Sequence, residues 1–193
     1  MYQEMDSVLP LLMQDDGEEL LKKDIEENKY LNISSLSTRK RYVPELIRRF
    51  KSVSKEFWQD YLGFSPKAKK VAMFYVVLKT YQILWEFHIQ VTLAKWKSFD
   101  PTISKDDLGM KYDEIAFHDE FVAGWSEKTK NKVISVYLHM LHQAGLRKEG
   151  ATELKQPELA QDEYAFYLKI QEPWFLDACL LHSYQIESIK AEI

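Results

Sequence analysis

Residues 125–155 read WSEKTKNKVISVYLHMLHQAGLRKEGATELK, and the order of signals in this stretch decides the fold class. Ser126 is an N-cap residue set directly before a helical period, with Thr129 at the third helical position. Val133, Ile134, Tyr137, Leu138 and Leu141 recur at the spacing of one helix face, while Lys128, Lys132, Ser135 and His139 line the opposite one. The spacing predicts an amphipathic helix over 126–143. Ala144-Gly145-Leu146 ends it, with Gly145 suited to a left-handed cap. Arg147–Lys155 is a short polar stretch with Glu149-Gly150 at its middle, which can fold as a small hairpin. Helix, glycine stop, apolar residue and polar hairpin is the order of a winged-helix module. The face of Lys128, Asn131, Lys132, Ser135 and His139 is what a recognition helix would present to a groove, although any exposed helix face could look like this.

Upstream, the segment 66–97 carries Phe74, Tyr75, Tyr81, Trp85, Phe87 and Trp96 and reads as one long buried helix or two closely packed ones. A membrane span is the competing interpretation. Lys79, Glu86, His88 and Lys95 interrupt the stretch, and its longest apolar run is Val71–Leu78, well short of the roughly 20 residues a spanning helix needs. Asp100-Pro101 ends the segment, and Ser104 is placed to cap a helix from Lys105 with Asp106 and Asp107 in its first turn. Toward the N-terminus, 18–29 reads as a short amphipathic helix with Leu20, Leu21 and Ile25 on one side. A basic helix through about Val53 follows, with Leu46, Ile47, Phe50 and Val53 on its apolar face; Pro44 either starts it or kinks it. Phe57, Trp58, Tyr61 and Leu62 form a further apolar cluster, and two helices near 158–170 and 173–190 close the chain.

The net charge is −4, but the charges are segregated. Residues 1–30 hold nine acids and three lysines, whereas 39–55 hold seven basic residues against Glu45 alone, and 128–148 hold five basic residues and no acid. Dense basic segments of this kind suit phosphate contact; the plainer interpretation is a solvated face paired with the acidic N-terminal segment. One cysteine, Cys179, excludes an internal disulfide framework and fits a reducing, cytoplasmic setting, and the N-terminus lacks the features of a signal peptide.

Signatures of chemistry are missing. The chain has no glycine-rich phosphate loop, no Gly-x-Ser-x-Gly elbow and no His-Glu-x-x-His, so no enzyme and no cofactor are expected. His139 and His142, with Cys179 and His182, have metal-like i, i+3 spacing. Without a Cys-x-x-Cys pair, Cys179 reads instead as a small core hydrophobe and the histidines as ordinary surface or interfacial residues. The aromatic residues of 74–96 could offer a stacking platform for single strands, but they sit at core spacing within an apolar helix, which favours packing.

A set of short motifs in order extends these observations: Thr38-Arg39-Lys40-Arg41 with Glu45-Leu46-Ile47-Arg48-Arg49, Phe74-Tyr75-Val76-Val77-Leu78-Lys79-Thr80, Glu86-Phe87-His88, Lys95-Trp96-Lys97-Ser98, Trp125-Ser126-Glu127-Lys128-Thr129, Leu141-His142-Gln143-Ala144-Gly145-Leu146 and Trp174-Phe175-Leu176. Over about residues 10–180 the pattern resembles the BrxA family of bacterial BREX phage-exclusion systems. Relative to that family the start reads as abbreviated. The resemblance implies a cytoplasmic, non-enzymatic, mainly α protein that binds double-stranded DNA beside other defence components, a methyltransferase and an ATPase among them. No membrane and no small-molecule substrate are implied. The expected architecture is a compact multi-helix protein: an N-terminal helix-turn-helix-like part (1–62), central buried aromatic helices (63–103) and a C-terminal winged-helix-like part with one short β-hairpin (104–193). DNA contacts are expected at Arg39, Lys40, Arg41, Arg48, Arg49, Lys51, Lys128, Asn131, Lys132, Arg147 and Lys148. A scaffold without direct DNA contact is the alternative, motivated by the acidic ends.

Overall fold

The computed structural model describes residues 2–98, 100–148 and 150–192. The chain is mainly helical and divides into two units, Met1–Gly63 and Phe64–Ile193.

The first unit contains α1 (Tyr2–Leu12), α2 (Gly17–Glu27), α3 (Leu36–Lys51) and α4 (Lys55–Leu62). Local signals in the acidic N-terminal segment do not predict α1. Its buried Met5, Val8, Leu9 and Leu12 do keep helical spacing, but Pro10 interrupts the pattern. The α1–α2 turn is tight, because Gly17 lies where any Cβ would meet the Leu11 carbonyl oxygen. α3 runs through Pro44, so that residue is internal rather than a start. Ser35 caps α3 by accepting from Thr38 N. The aromatic cluster of α4 closes the unit's core: Trp58 is fully buried, stacks on Phe50 at 5.9 Å and donates from Nε1 to the Phe50 carbonyl at 2.9 Å.

In the second unit, α5 (Pro66–Thr80) buries every residue from Val71 to Leu78, which explains an apolar run with no helical stripe. No helix among the described residues is long and apolar enough to cross a membrane. The chain breaks at Tyr81, so the central segment is two helical pieces rather than one. The second piece is continuous from Gln82 to Lys97: α6 (Gln82–Glu86), a π turn (Phe87–Thr92) and α7 (Leu93–Lys97). The wider π turn brings Phe87, His88 and Thr92 all into the interior. α8 (Lys105–His118) starts as expected, with Ser104 and Asp107 closing a capping box. α9 (Glu120–Ala123) leads to α10 (Glu127–Gln143), and Gly145 follows with φ +75°.

The 147–155 stretch, expected as a β-hairpin, forms isolated antiparallel bridges, Arg147 with Leu154 and Thr102 with Glu153; no sheet is present among the described residues. Lys155 N donates to Leu146 O at 3.0 Å, Lys148 N to Glu153 O at 3.1 Å, and Ile103 N to Thr152 O at 2.8 Å, tying three short stretches together. Glu149, at the centre of the expected hairpin, lies outside the described residues. The closing helices are shorter than expected: α11 (Gln161–Lys169), then α12 (Trp174–Ala178) and α13 (Ser183–Ala191), separated where Leu180 takes φ +60°.

Candidate nucleic-acid interface

α10 is fixed at its start by Ser126, which accepts from Thr129 N at 3.2 Å, and along its inner face by buried Ile134, Tyr137, Leu138 and Leu141. Tyr137 is the polar anchor of that face. His88 Nε2 lies 2.8 Å from the Ala178 carbonyl, which can only accept, so Nε2 carries the ring proton. Nδ1 is therefore an acceptor and takes a hydrogen bond from the Tyr137 hydroxyl at 2.9 Å. The Tyr137 oxygen in turn accepts from Thr92 Oγ1 at 2.6 Å. Burial holds the imidazole neutral, with its pKa lowered from 6.5 to about 4. The π turn, α10 and the end of α12 are thus joined by one buried polar chain.

With the inner face so held, the outer face is exposed along Lys128, Asn131, Lys132, Ser135 and His139. Lys128 and Lys132 have no ion-pair or hydrogen-bond partner among the described residues. Lys130 points sideways instead: it pairs with Asp113, which raises its pKa, and sits 5.1 Å above the Tyr112 ring. Arg147 is half-buried, donating from Nε to Ala151 O at 2.6 Å and from Nη1 to Leu138 O at 3.4 Å, so it shapes the 147–151 turn as well as adding charge. Lys148 is exposed and pairs with Glu153 at 2.6 Å. Between α10, the first residue of α8 and this turn lies an open basin of about 370 Å³, with Lys105, His139, His142, Arg147 and Lys148 on its walls. Lys105 and His142 are functional candidates that sequence pattern did not single out for DNA. A basic first residue on a capped helix was the available signal for Lys105.

The basic helix of the first unit is arranged differently. Arg39 is only 7% exposed; its Nε donates to Ile25 O at 2.6 Å, and its Nη1 to the carbonyls of Ile33 and Ser34. That guanidinium organises the α2–α3 turn, where Asp24 accepts from the amides of Lys29, Tyr30 and Leu31. Arg49 is also buried, whereas Lys40, Arg41, Arg48 and Lys51 are at least partly exposed. Acids of the N-terminal segment meet the lysines: Glu18 with Lys51 at 2.7 Å, Glu26 with Lys40 at 3.7 Å and Asp15 with Lys55 at 3.9 Å. Arg41 lies 5.6 Å over the Tyr42 ring. The eleven candidate contacts are therefore split between two units, and within each only some keep a charge open to a ligand.

Among the described residues no group of His, Cys, Asp and Glu could hold a metal ion. Cys179 is fully buried, which pushes its thiol pKa up, and His182 stacks on Trp96 at 5.4 Å.

These features define a class: a mainly helical protein with an exposed cationic helix face and no assembled metal centre among its described residues. The chain belongs to the BrxA family, whose profile matches residues 1–169. It is similar to the BREX protein BrxA of Bacillus cereus (strain H3081.97), 25% identical over 146 residues, covering 75% of this chain and 72% of that one. Its fold is similar to the crystal structure of an uncharacterized protein from Magnetospirillum magneticum, with a TM-score of 0.72, 18% identity and 92% of each chain covered.

Proposed function

We propose that the chain is a non-enzymatic double-stranded DNA-binding protein of a BREX phage-defence system, acting in the cytoplasm beside the system's other components, a methyltransferase and an ATPase among them. The observation that carries this reading is the outer face of α10, where Lys128 and Lys132 flank Asn131, exposed and without partners among the described residues. Cations held open on a rigid helix suit phosphate contact, and an asparagine between them suits an adenine edge. The chain order supports a winged-helix assignment for 104–193: α8 and α9, then α10, then a bridged turn whose far side pairs with 101–103. On this reading Arg147 and Lys148 form the wing, 63–103 is the supporting core, and 1–62 is a helix-turn-helix-like part offering Lys40, Arg41, Arg48 and Lys51 as a secondary surface. Arg39 and Arg49 then serve mainly inside the first unit, since both are buried.

A mobility-shift titration with duplex DNA across salt tests the reading. We expect affinity to fall steeply as salt rises; absent or salt-insensitive binding overturns it.

A scaffold that docks protein partners is a second reading, favoured by one specific observation. Phe117 and Phe121 are 85% and 76% exposed, with the exposed acids Asp119 and Glu120 between them. Partner capture that persists after nuclease treatment would favour this reading over DNA contact.

A further inference from the structure

The basin between α10 and the 147–151 turn has features that an ordinary cationic surface lacks. It is concave, about 370 Å³, and within the size range of small-ligand sites. Lys105, His139, His142, Arg147 and Lys148 line it, and no described acid does. Of the two acids that follow Lys105 in the first turn of α8, Asp106 is exposed and does not line the basin, and Asp107 is engaged elsewhere: it accepts from Ser104 N and Oγ, each at 2.7 Å, and pairs with Lys95 at 3.2 Å. Lys105 itself has no partner among the described residues. Arg147 is held in plane by its bonds to Ala151 and Leu138, so its guanidinium is pre-set rather than mobile.

One further observation points to a ligand. His142 Nδ1 is buried and has no hydrogen-bond partner among the described residues. A buried polar atom without a partner is costly, and native structures keep few of them. His142 also lines the basin, so its imidazole stands beside the space that an anionic oxygen would fill.

We propose that this basin is a seat for one phosphate group, with Lys105 and Arg147 supplying charge, His142 the inner donor, and His139 and Lys148 the rim. The proposal rests on the DNA-binding reading only for the source of that phosphate. On that reading the group is a backbone phosphodiester, gripped between the helix and the wing, which fixes how the duplex lies on α10. A phosphate on a free nucleotide has the same chemistry, so the test separates the two.

The first arm titrates the full, nitrogen-15-labelled chain with inorganic pyrophosphate. Saturable shifts should be confined to Lys105, His139, His142, Lys148 and Gly150. Lys105→Gln and His142→Leu should each weaken the titration roughly tenfold, the effect of losing one charge-assisted hydrogen bond. Lys169→Gln, an exposed lysine on α11, should leave it unchanged. His142→Leu also removes the partnerless nitrogen, so it should melt no lower than the parent; that checks that the fold survives. The second arm measures duplex binding across salt, where Lys105→Gln should lower the slope of log affinity against log salt by about one. Shifts that never saturate, or that spread evenly over the surface lysines, overturn the seat. If pyrophosphate saturates but the duplex binds both variants as well as the parent, the seat stands and takes a free phosphate-bearing ligand. If pyrophosphate saturates and no duplex binds, the DNA-binding reading fails and the seat stands. Duplex binding without saturable pyrophosphate shifts removes the seat alone.

Discussion

The Tyr137 hydroxyl donates to His88 Nδ1 at 2.9 Å, and it can do so only while the imidazole is neutral. A protonated ring would present N–H to a group that is already held by Thr92, and would carry its charge into a fully buried site. The histidine's pKa is therefore lowered from 6.5 to about 4 by desolvation. A depressed folded-state pKa means that the unfolded chain takes up the proton first. Stability from this site is fully present above about pH 6.5 and is lost as pH falls toward 4. The loss over that window is about 3 kcal/mol, by the linkage of 1.36 kcal/mol per pKa unit. Denaturant unfolding at pH 7.5 and 4.5 should show it, and His88→Gln should flatten this component. A parent protein equally stable at both values would contradict the assignment.

Tyr137→Phe removes the bridging hydroxyl and leaves His88 Nδ1 and Thr92 Oγ1 without the contacts described above. A destabilisation of about 1–3 kcal/mol is expected from buried polar groups left unsatisfied. Thermal melting checks it, and the duplex affinity of the folded variant should change little.

Arg39 and Arg41 are two residues apart but should behave as opposites. Arg39→Gln breaks donation to the carbonyls of Ile25, Ile33 and Ser34 and should cost about 2–4 kcal/mol, with no rescue by lysine, which lacks the planar fork. Arg41→Gln, on the exposed side, should stay within about 0.5 kcal/mol of the parent. Denaturant midpoints of the two variants settle the contrast.

Lys128→Glu with Lys132→Glu should leave the melting temperature near the parent's, since both side chains are exposed. The pair should weaken duplex binding by more than tenfold and lower the salt slope by about two, one per lost phosphate contact. Unchanged affinity would show that α10 is not the binding face.

Two glycines give a further contrast. A Cβ at Gly17 would sit 2.1 Å from the Leu11 carbonyl oxygen, so Gly17→Ala must push α1 and α2 apart and should cost more than about 2 kcal/mol. Gly109 lies within α8 with open space where a methyl would project, so Gly109→Ala should stabilise by about 0.5–1 kcal/mol through helix propensity. Equilibrium unfolding of both reads the signs.

What could be read in the sequence was what depends on neighbours in the chain. Ser126, the period of Val133 to Leu141 and Gly145 fixed α10 and its ends, and Ser104 with Asp107 did the same for the start of α8. The breaks at Tyr81 and Leu180 were harder. Neither residue is a typical breaker, and Leu180 is held at φ +60° by its buried surroundings rather than by its own preference. α1 was hidden because Pro10 argued locally against a helix whose support is tertiary. Among the candidate contacts, charge type and density were visible, but the inward turn of Arg39 was not. That turn depends on the 28–34 loop folding back, with Asn28 and Asn32 in left-handed conformations.

The pairing of Lys40 and Lys51 with Glu26 and Glu18, and of Lys55 at the start of α4 with Asp15, makes the acidic start of the chain the ionic atmosphere of its own basic segment. A polyanion arriving at α3 would have to displace these carboxylates from Lys40 and Lys51. The exchange would be close to neutral in energy, because exposed pairs of this kind are worth about 0–1 kcal/mol each. The freed carboxylates would then lie beside the phosphates and repel them, so Lys40 and Lys51 would hold a duplex less tightly than Lys128 and Lys132 of α10, which have no acid to displace among the described residues.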